Sequence, residues 1–119
     1  MARDAPQIDA YGDGGFRLSG AWRDGSVLIL GDEPRDWAVS DVAELDLAAL
    51  APVLEAGAAD VEFVLIGMGA RNALPPRELR DGLRAAGIGL EFMDTPSAAR
   101  LYNLLTSEGR RLAAALIAV

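Results

Sequence analysis

The sequence predicts an α/β fold built on one mixed sheet, and two observations support this prediction. In the second half of the chain, apolar segments of strand length alternate with helical patterns, as in parallel strands joined by crossover helices. In the first half, short strand-like segments are separated by glycine-containing turns, which is typical of antiparallel pairing. We therefore expect a mixed sheet with helices on one side and the early strands as a further layer.

Glycines and alternating apolar residues predict the first elements. Residues 1–15 are polar and rich in glycine, and we expect a loose or edge-lying N-terminal arm. Residues 16–21 alternate apolar and polar side chains, which predicts a half-buried strand. Asp24-Gly25 is a common two-residue hairpin sequence, so we expect it to join that strand to a more buried one at 26–30.

Two prolines shape the middle of the chain. Residues 31–35 predict a turn, because Pro34 lacks the N–H group that continued pairing needs. Residues 37–39 predict a short third strand. A helical pattern over 47–57 contains Pro52, which is tolerated only in a first turn, so we expect a short or broken helix there.

The second half alternates strands and helices in a clear order. An almost wholly apolar strand at 61–69 is typical of a central strand covered on both faces. An amphipathic helix over 75–87 leads to a buried strand at 88–93, and a second helix over 95–108 follows. The alanines of 112–119 favour a helix, whereas the position after a helix favours a strand, and we expect the strand.

Composition limits the chemistry of the chain. Its 119 residues, 51% hydrophobic, predict a single domain over 1–119, and alanine-rich, all-arginine usage indicates a GC-rich bacterial genome. The chain has no histidine, cysteine or lysine, which removes the usual proton shuttle, thiolate nucleophile and Schiff-base amine. We therefore expect no metal site, no cofactor and no catalytic residue, and an enzyme is the less favoured interpretation.

The net charge of −7 argues against nucleic acid as a partner, because duplex binding needs cationic side chains that neutralise phosphates. No apolar segment reaches the roughly 20 residues that span a bilayer, and the first residues lack the apolar core of a signal peptide. We expect a cytoplasmic protein without membrane insertion.

Candidate binding residues follow the two most apolar predicted strands. Gly67 and Gly69 would let main-chain amides approach an anion, and Arg71 would pair with it. Asp94 and Thr95 follow the next strand, and ligands of open α/β sheets bind at the carboxyl ends of parallel strands. Neighbouring strands would place these residues along one crevice. The structural alternatives stay open: glycines that bend the chain, and an ordinary helix cap.

Polar residues of the last helix and of the segment after it extend the candidate site. Asn103 is a poor helix former, so we expect it to face either the crevice or solvent. The full predicted binding set is Gly67, Gly69, Arg71, Asp94, Thr95, Tyr102, Asn103 and Arg110.

Several segments resemble one family of domains of unknown function, which includes a mitochondrial respiratory complex I assembly factor and an adipogenesis-associated protein, with many short bacterial members. The segments are Ile8–Gly12, Gly15–Arg17, Gly25–Leu28, Leu65–Gly69, Gly87-Ile88, Met93–Thr95, Ala98-Ala99, Tyr102–Leu105 and Glu108–Arg110. The resemblance implies a three-layer β/β/α fold with a mixed central sheet. Met68 stands where the family often has threonine. The family supplies no established catalytic residues, and its mitochondrial member implies assembly of a membrane complex through protein contacts.

Two functional hypotheses follow. The first is a non-enzymatic protein-interaction or assembly-factor-like module with a protein partner, and a homodimer is left open. The second is a protein that binds a small anionic metabolite, or a cryptic enzyme, with its site in the crevice at the strand ends.

Overall fold

The computed structural model describes residues 5–119, which form two β-sheets and three α-helices. The three-stranded sheet contains β1 (Ile8–Gly12), β2 (Gly15–Leu18) and β3 (Ala21–Asp24). The five-stranded sheet contains β4 (Val27–Leu30), β5 (Glu33–Asp36), β6 (Phe63–Gly67), β7 (Gly89–Met93) and β8 (Leu112–Leu116). The helices are α1 (Ala51–Ala56), α2 (Arg77–Ala85) and α3 (Thr95–Ser107).

The five-stranded sheet is mixed, and β8 lies at its centre. The strand order is β5-β4-β8-β6-β7, with β8 antiparallel to β4 and parallel to β6. The predicted α/β class with a mixed central sheet and an N-terminal sheet layer is therefore confirmed. The prediction of a strand at the C-terminal end is also confirmed, since all five residues of β8 are buried.

The helices cover both faces of this sheet, so the expectation of helices on one side is wrong. The chain moves outward from β6 through α2 to β7, then returns past β6 through α3 to β8. Because strand–helix–strand crossovers are right-handed, a reversal of direction places the two helices on opposite faces. The small sheet lies on the α3 side, where α3 packs against β1, β6 and β8.

Strand alternation divides the core into two clusters, one on each face of the central sheet. Val64 and Ile66 pack with Leu79 and the rest of the α2 side. Leu65 packs on the α3 side, against residues that include Phe16 of the small sheet. Successive strand side chains point to opposite faces, so an unbroken apolar strand is what two covered faces require.

The hairpin predicted at Asp24-Gly25 is wrong. Asp24 ends β3 in one sheet and Val27 begins β4 in the other, so Gly25 is part of a link between sheets. The tight turns form instead at Asp13-Gly14, Ser19-Gly20 and Gly31-Asp32. Both residues of each pair have positive φ, which is the backbone geometry that matches the twist of a two-residue hairpin.

Other N-terminal predictions are corrected in the same region. Residues 16–21 form parts of β2 and β3, with a turn between them. Pro34 lies inside β5, which is an outer strand, where the missing N–H group is tolerated. Residues 37–39 are not a strand, although Trp37 and Val39 are buried in the α2-side core.

The broken helix predicted over 47–57 is confirmed. A 3-10 turn at Leu47–Leu50 precedes α1, and Pro52 occupies the first turn of α1. Of the predicted arm 1–15, residues 1–4 lie outside the described part, and β1 is an outer strand of the small sheet.

Candidate functional site

The ends of β6 and β7 lie side by side, and hydrogen bonds join the loops that follow them. The two strands are parallel neighbours. Beyond them, the Met68 N–H donates to the Met93 carbonyl at 2.7 Å, and the Thr95 N–H donates to the Gly69 carbonyl at 2.8 Å. The predicted residues at the two strand ends are therefore brought together, with main-chain hydrogen bonds between them.

Thr95 occupies the space between these strand ends. Its side chain is fully buried. The hydroxyl donates to the Ile117 carbonyl at 2.7 Å and accepts from the Gly69 N–H at 2.9 Å. A Cβ atom on Gly67 would lie 2.8 Å from this hydroxyl, and Gly69 has a φ of +97°. The missing side chain of Gly67 thus gives room to a threonine that ties together the end of β6, the start of α3 and the segment after β8, while the positive φ of Gly69 favours glycine there.

Asp94 is the N-cap of α3. Its carboxylate accepts from the Ser97 N–H at 2.8 Å and from the Ser97 hydroxyl at 3.0 Å. These hydrogen bonds favour the ionised form and hold the pKa of Asp94 below its usual value. Arg71, on the exposed loop after β6, forms no ion pair with any carboxylate in the part of the chain that the structure describes.

Tyr102 and Asn103 face the N-terminal segment. The hydroxyl of Tyr102, a buried side chain, donates to the Pro6 carbonyl at 2.9 Å. The Asn103 amide accepts from the Ile8 N–H at 2.8 Å and donates to the Ile8 carbonyl at 2.9 Å. Asn103 therefore pairs with β1 as a strand residue would, which satisfies main-chain groups at the outer edge of the small sheet.

Arg110 lies at the opposite end of β6. Its guanidinium contacts the Glu62 carboxylate at 2.9 Å and lies 5.3 Å from the centre of the Phe63 ring. The hydrogen bond from Arg110 holds the pKa of Glu62 below its usual value. The eight predicted residues thus fall at three places: the joined strand ends, the contact with β1, and the start of β6. As binding residues, they stay predictions.

The sequence interpretation expected a buried strand at 88–93, but none of the five residues of β7 is buried. Two depressions lie beside this strand, and of the predicted binding residues Arg110 lines one of them. One depression of about 490 Å³ lies on its α3 side and includes Gly89, Leu101 and Leu105. Another of about 360 Å³ lies on its α2 side and includes Arg80, Arg84 and Phe92. The sequence signal that could have found them is a proline-free, partly apolar strand, GLEFM, before the last helix. That this strand has a single neighbour is visible only in the structure.

Residues 5–119 contain neither a metal-binding cluster nor a membrane-spanning helix. No group of three or more acidic side chains there is placed to hold a metal ion. No helix in this part of the chain has the length and apolar character that crossing a membrane requires.

Comparison with known proteins adds a family context. The family described as "Protein of unknown function (DUF498/DUF598)" matches residues 8–117. An uncharacterised protein of Rhodobacter capsulatus is 46% identical over 110 residues, which cover 92% of this chain and 82% of the relative. Human NADH dehydrogenase [ubiquinone] 1 alpha subcomplex assembly factor 3 is 34% identical over 98% of this chain. The match covers 62% of the human protein.

A solved structure also matches over nearly its whole length. The crystal structure of an outer membrane protein from Bartonella henselae superposes with a TM-score of 0.90 and 33% sequence identity, covering 97% of this chain and 96% of that one. The two-sheet fold is therefore shared with a relative that was solved experimentally.

Proposed function

The chain belongs to the DUF498/DUF598 family of proteins of unknown function, and from that premise we propose that it is a non-enzymatic, assembly-factor-like protein-interaction module. The observation that carries the proposal is its similarity, over 98% of its length, to a protein named as an assembly factor of NADH dehydrogenase. The chain matches less than two thirds of that relative, so the relative's role is transferred to this chain only as a proposal.

The geometry at the strand ends supports this proposal over small-molecule binding. The N–H and hydroxyl donors that would contact an anion already hydrogen-bond within the protein, the Gly69 N–H to Thr95 and the Thr95 hydroxyl to Ile117. The ionised Asp94 carboxylate, which accepts from Ser97, would repel an anion. A ligand at this place would have to break buried hydrogen bonds, which is costly. Binding of an anionic metabolite, or cryptic catalysis there, remains the alternative prediction.

The partner in this proposal is a protein subunit of a membrane complex that passes through an unassembled state. Such subunits expose interface surfaces before assembly, and an assembly factor covers them by ordinary protein–protein contacts. We propose that the chain works in the cytoplasm, without inserting into the membrane.

Deletion of the gene in the organism that carries it tests this function. We expect lower NADH–quinone reductase activity in membranes and an accumulation of partly assembled complex on native gels, both restored by the wild-type gene. Normal complex levels in the deletion strain would contradict the proposal. As a test of the alternative, anionic metabolites that raise the thermal midpoint of the purified protein, but not of a Gly69→Val variant that still folds, would favour the strand-end site.

A further inference from the structure

The outer edge of β7 has free main-chain hydrogen-bonding groups. At one end of the strand the Gly89 N–H donates to the Glu62 carbonyl, and at the other the Met93 carbonyl accepts from Met68. The main-chain groups of Gly89, Glu91 and Met93 thus face β6. Because successive residues of a strand turn these groups to opposite sides, those of Leu90 and Phe92 point away from the sheet. No strand of residues 5–119 lies on that side.

The other edge strands of the described residues, β1, β3 and β5, are protected against pairing with another chain, whereas β7 is not. The edge strand β5 contains Pro34 and three charged residues. β1 is paired by the Asn103 side chain, and β3 is only four residues long and carries Arg23 and Asp24. Prolines, charges and short length are the usual ways in which proteins prevent an edge from pairing with another chain. Their scarcity in β7 indicates an edge that is open for pairing.

Depressions lie on both faces of this edge. Leu90 and Phe92 pack on the α2 side, where Arg80 and Arg84 line the depression beside them. On the α3 side, the depression lies between β7 and the side chains of Leu101, Leu105 and Phe63. A strand that pairs with β7 sends alternate side chains to the two faces, so its residues would enter the two depressions in turn.

The two depressions differ in charge. Among the described residues, no carboxylate forms an ion pair with Arg80 or Arg84, although the whole chain carries a net charge of −7. Arg80 donates to the Pro75 carbonyl at 3.1 Å, and Arg84 is exposed. Two unpaired cations favour acidic side chains on the α2 side. The α3-side depression is lined by the apolar Phe63, Leu101 and Leu105 and by three charged residues. Of these, Arg110 is paired with Glu62, and Glu91 is exposed on β7.

We propose that the free edge of β7 binds an extended segment of a partner protein by β-strand addition. In that segment, acidic residues that face Arg80 and Arg84 alternate with apolar residues that face Leu101 and Leu105. The inference rests on the proposed function and deepens it, because it states what kind of partner segment the interaction module recognises and where that segment binds.

A second copy of the chain is a poorer occupant. Symmetric antiparallel pairing of two β7 strands about their central residue would place Glu91 opposite Glu91, and directly opposed like charges destabilise a sheet. Each copy also carries seven net negative charges, so their association is opposed at long range.

Fluorescence anisotropy with a labelled peptide tests the edge. The probe is a peptide of about six residues in which glutamate and valine alternate, and a peptide with lysine in place of glutamate is its charge control. We expect Leu90→Pro to weaken binding of the glutamate peptide about tenfold or more, because it removes an N–H group that faces outward. The matched Leu90→Ala variant also loses the leucine side chain, which lines the α2-side depression, but it keeps the N–H group and should bind the glutamate peptide at least about threefold more tightly than Leu90→Pro does.

A second, double variant tests the edge proposal even if Leu90→Pro does not fold. Arg80→Glu combined with Arg84→Glu changes only the helix side of the depression. It should weaken the glutamate peptide about tenfold and strengthen the lysine peptide. Absent binding to the wild type, or equal binding by the wild type and both edge variants, overturns the proposal. Self-association of the wild type that Leu90→Pro abolishes also overturns it, in favour of a second copy as occupant.

The deletion strain separates this inference from the proposed function. If Leu90→Pro, folded as judged by circular dichroism, restores respiratory complex assembly as well as the wild type does, then the edge proposal fails and the assembly role stands. If the peptide binds at the edge but deletion leaves the complex intact, then the assembly role fails and the edge proposal stands.

Discussion

At the scale of single residues, one hydroxyl group holds three elements together. Thr95 begins α3, accepts a hydrogen bond from the loop after β6, and donates one to the segment after β8. All these groups are buried, and a buried polar group that loses its partner costs more free energy than an ordinary hydrogen bond contributes. Thr95 therefore has a structural role at the strand ends, which the sequence alone could not show, and its role in ligand binding stays a prediction.

We expect Thr95→Val to lower the free energy of unfolding by about 2–4 kcal/mol, because it removes the hydrogen-bonding partner of both the Gly69 N–H and the Ile117 carbonyl. Thr95→Ser keeps the hydroxyl and loses only one buried methyl group, at a cost of about 1 kcal/mol. Urea denaturation of the two variants measures the difference. Equal destabilisation by valine and serine would contradict the proposed hydrogen-bonding role.

Asp94 makes the stability depend on pH in a predictable direction. Its pKa is lower in the folded protein, because the Ser97 N–H and hydroxyl donate to the ionised carboxylate. The resulting stabilisation is fully present above the unfolded-state pKa of about 3.9 and is lost as the pH falls through the lower folded-state value. We expect Asp94→Asn to be less stable than wild type at pH 7, with the two proteins converging in acid.

Thermal midpoints measured between neutral and strongly acidic pH check this expectation. The matched control is Asp60→Asn, which removes the same charge from an exposed loop. A constant difference between Asp94→Asn and wild type at every pH would contradict the assignment, since it would indicate lost packing in place of lost charge.

At the scale of elements, the sequence specified the second half of the chain better than the first. The strands β6 and β8 are buried on both faces. The apolar run of β6 was a sufficient signal, whereas β8 was predicted from its position after a helix. In the first half, Asp24-Gly25 and Asp13-Gly14 are identical dipeptides, yet only the second forms a tight turn. Their difference depends on which sheet the next strand joins, and that choice is made by distant partners.

The candidate site was predictable only in part, for a related reason. Adjacency of the ends of β6 and β7 followed from the strand–helix–strand pattern. The space between these ends is filled by Thr95, which donates a hydrogen bond to the segment after β8. No local sequence pattern encodes the position of β8 at the centre of the sheet. The open edge of β7 likewise depends on strand order, because its sequence alone does not say whether it has one neighbour or two.

Asn103 attaches an element to the rest of the molecule. We expect Asn103→Ala to increase the rate of hydrogen exchange in β1 much more than in β6, because the hydrogen bond that the amide donates to Ile8 and the one that it accepts from Ile8 are both lost. Each bond contributes about 0.5–1.5 kcal/mol. Leu104→Ala is the matched control, since this neighbouring side chain is 56% exposed. Unchanged exchange in β1 would show that the amide does not hold the strand.

At the scale of the whole molecule, the last strand of the chain joins its two halves. β8 pairs with β4 on one side and with β6 on the other, so it links the antiparallel pair β4–β5 to the parallel pair β6–β7. Leu28 of β4 and Ala115 of β8, which lie opposite each other in the sheet, are far apart in sequence. Contacts between such distant residues slow folding, because a long loop must close before they form. The sheet is complete only when this final segment is present.

We therefore expect a chain that ends at Arg111 to lack a cooperative fold. Without β8, the central sheet is reduced to two separate pairs of strands, and a two-stranded pair is marginally stable at best in water. Both core clusters also lose buried residues, Ala113 and Ala115 on one face, Leu112 and Leu116 on the other. The measurements are thermal unfolding by circular dichroism and amide peak dispersion by NMR. A synthetic peptide of residues 110–119, added in equimolar amount, should restore dispersed peaks if the missing strand is the sole defect. A cooperative transition in the shortened chain alone would contradict the central role of β8.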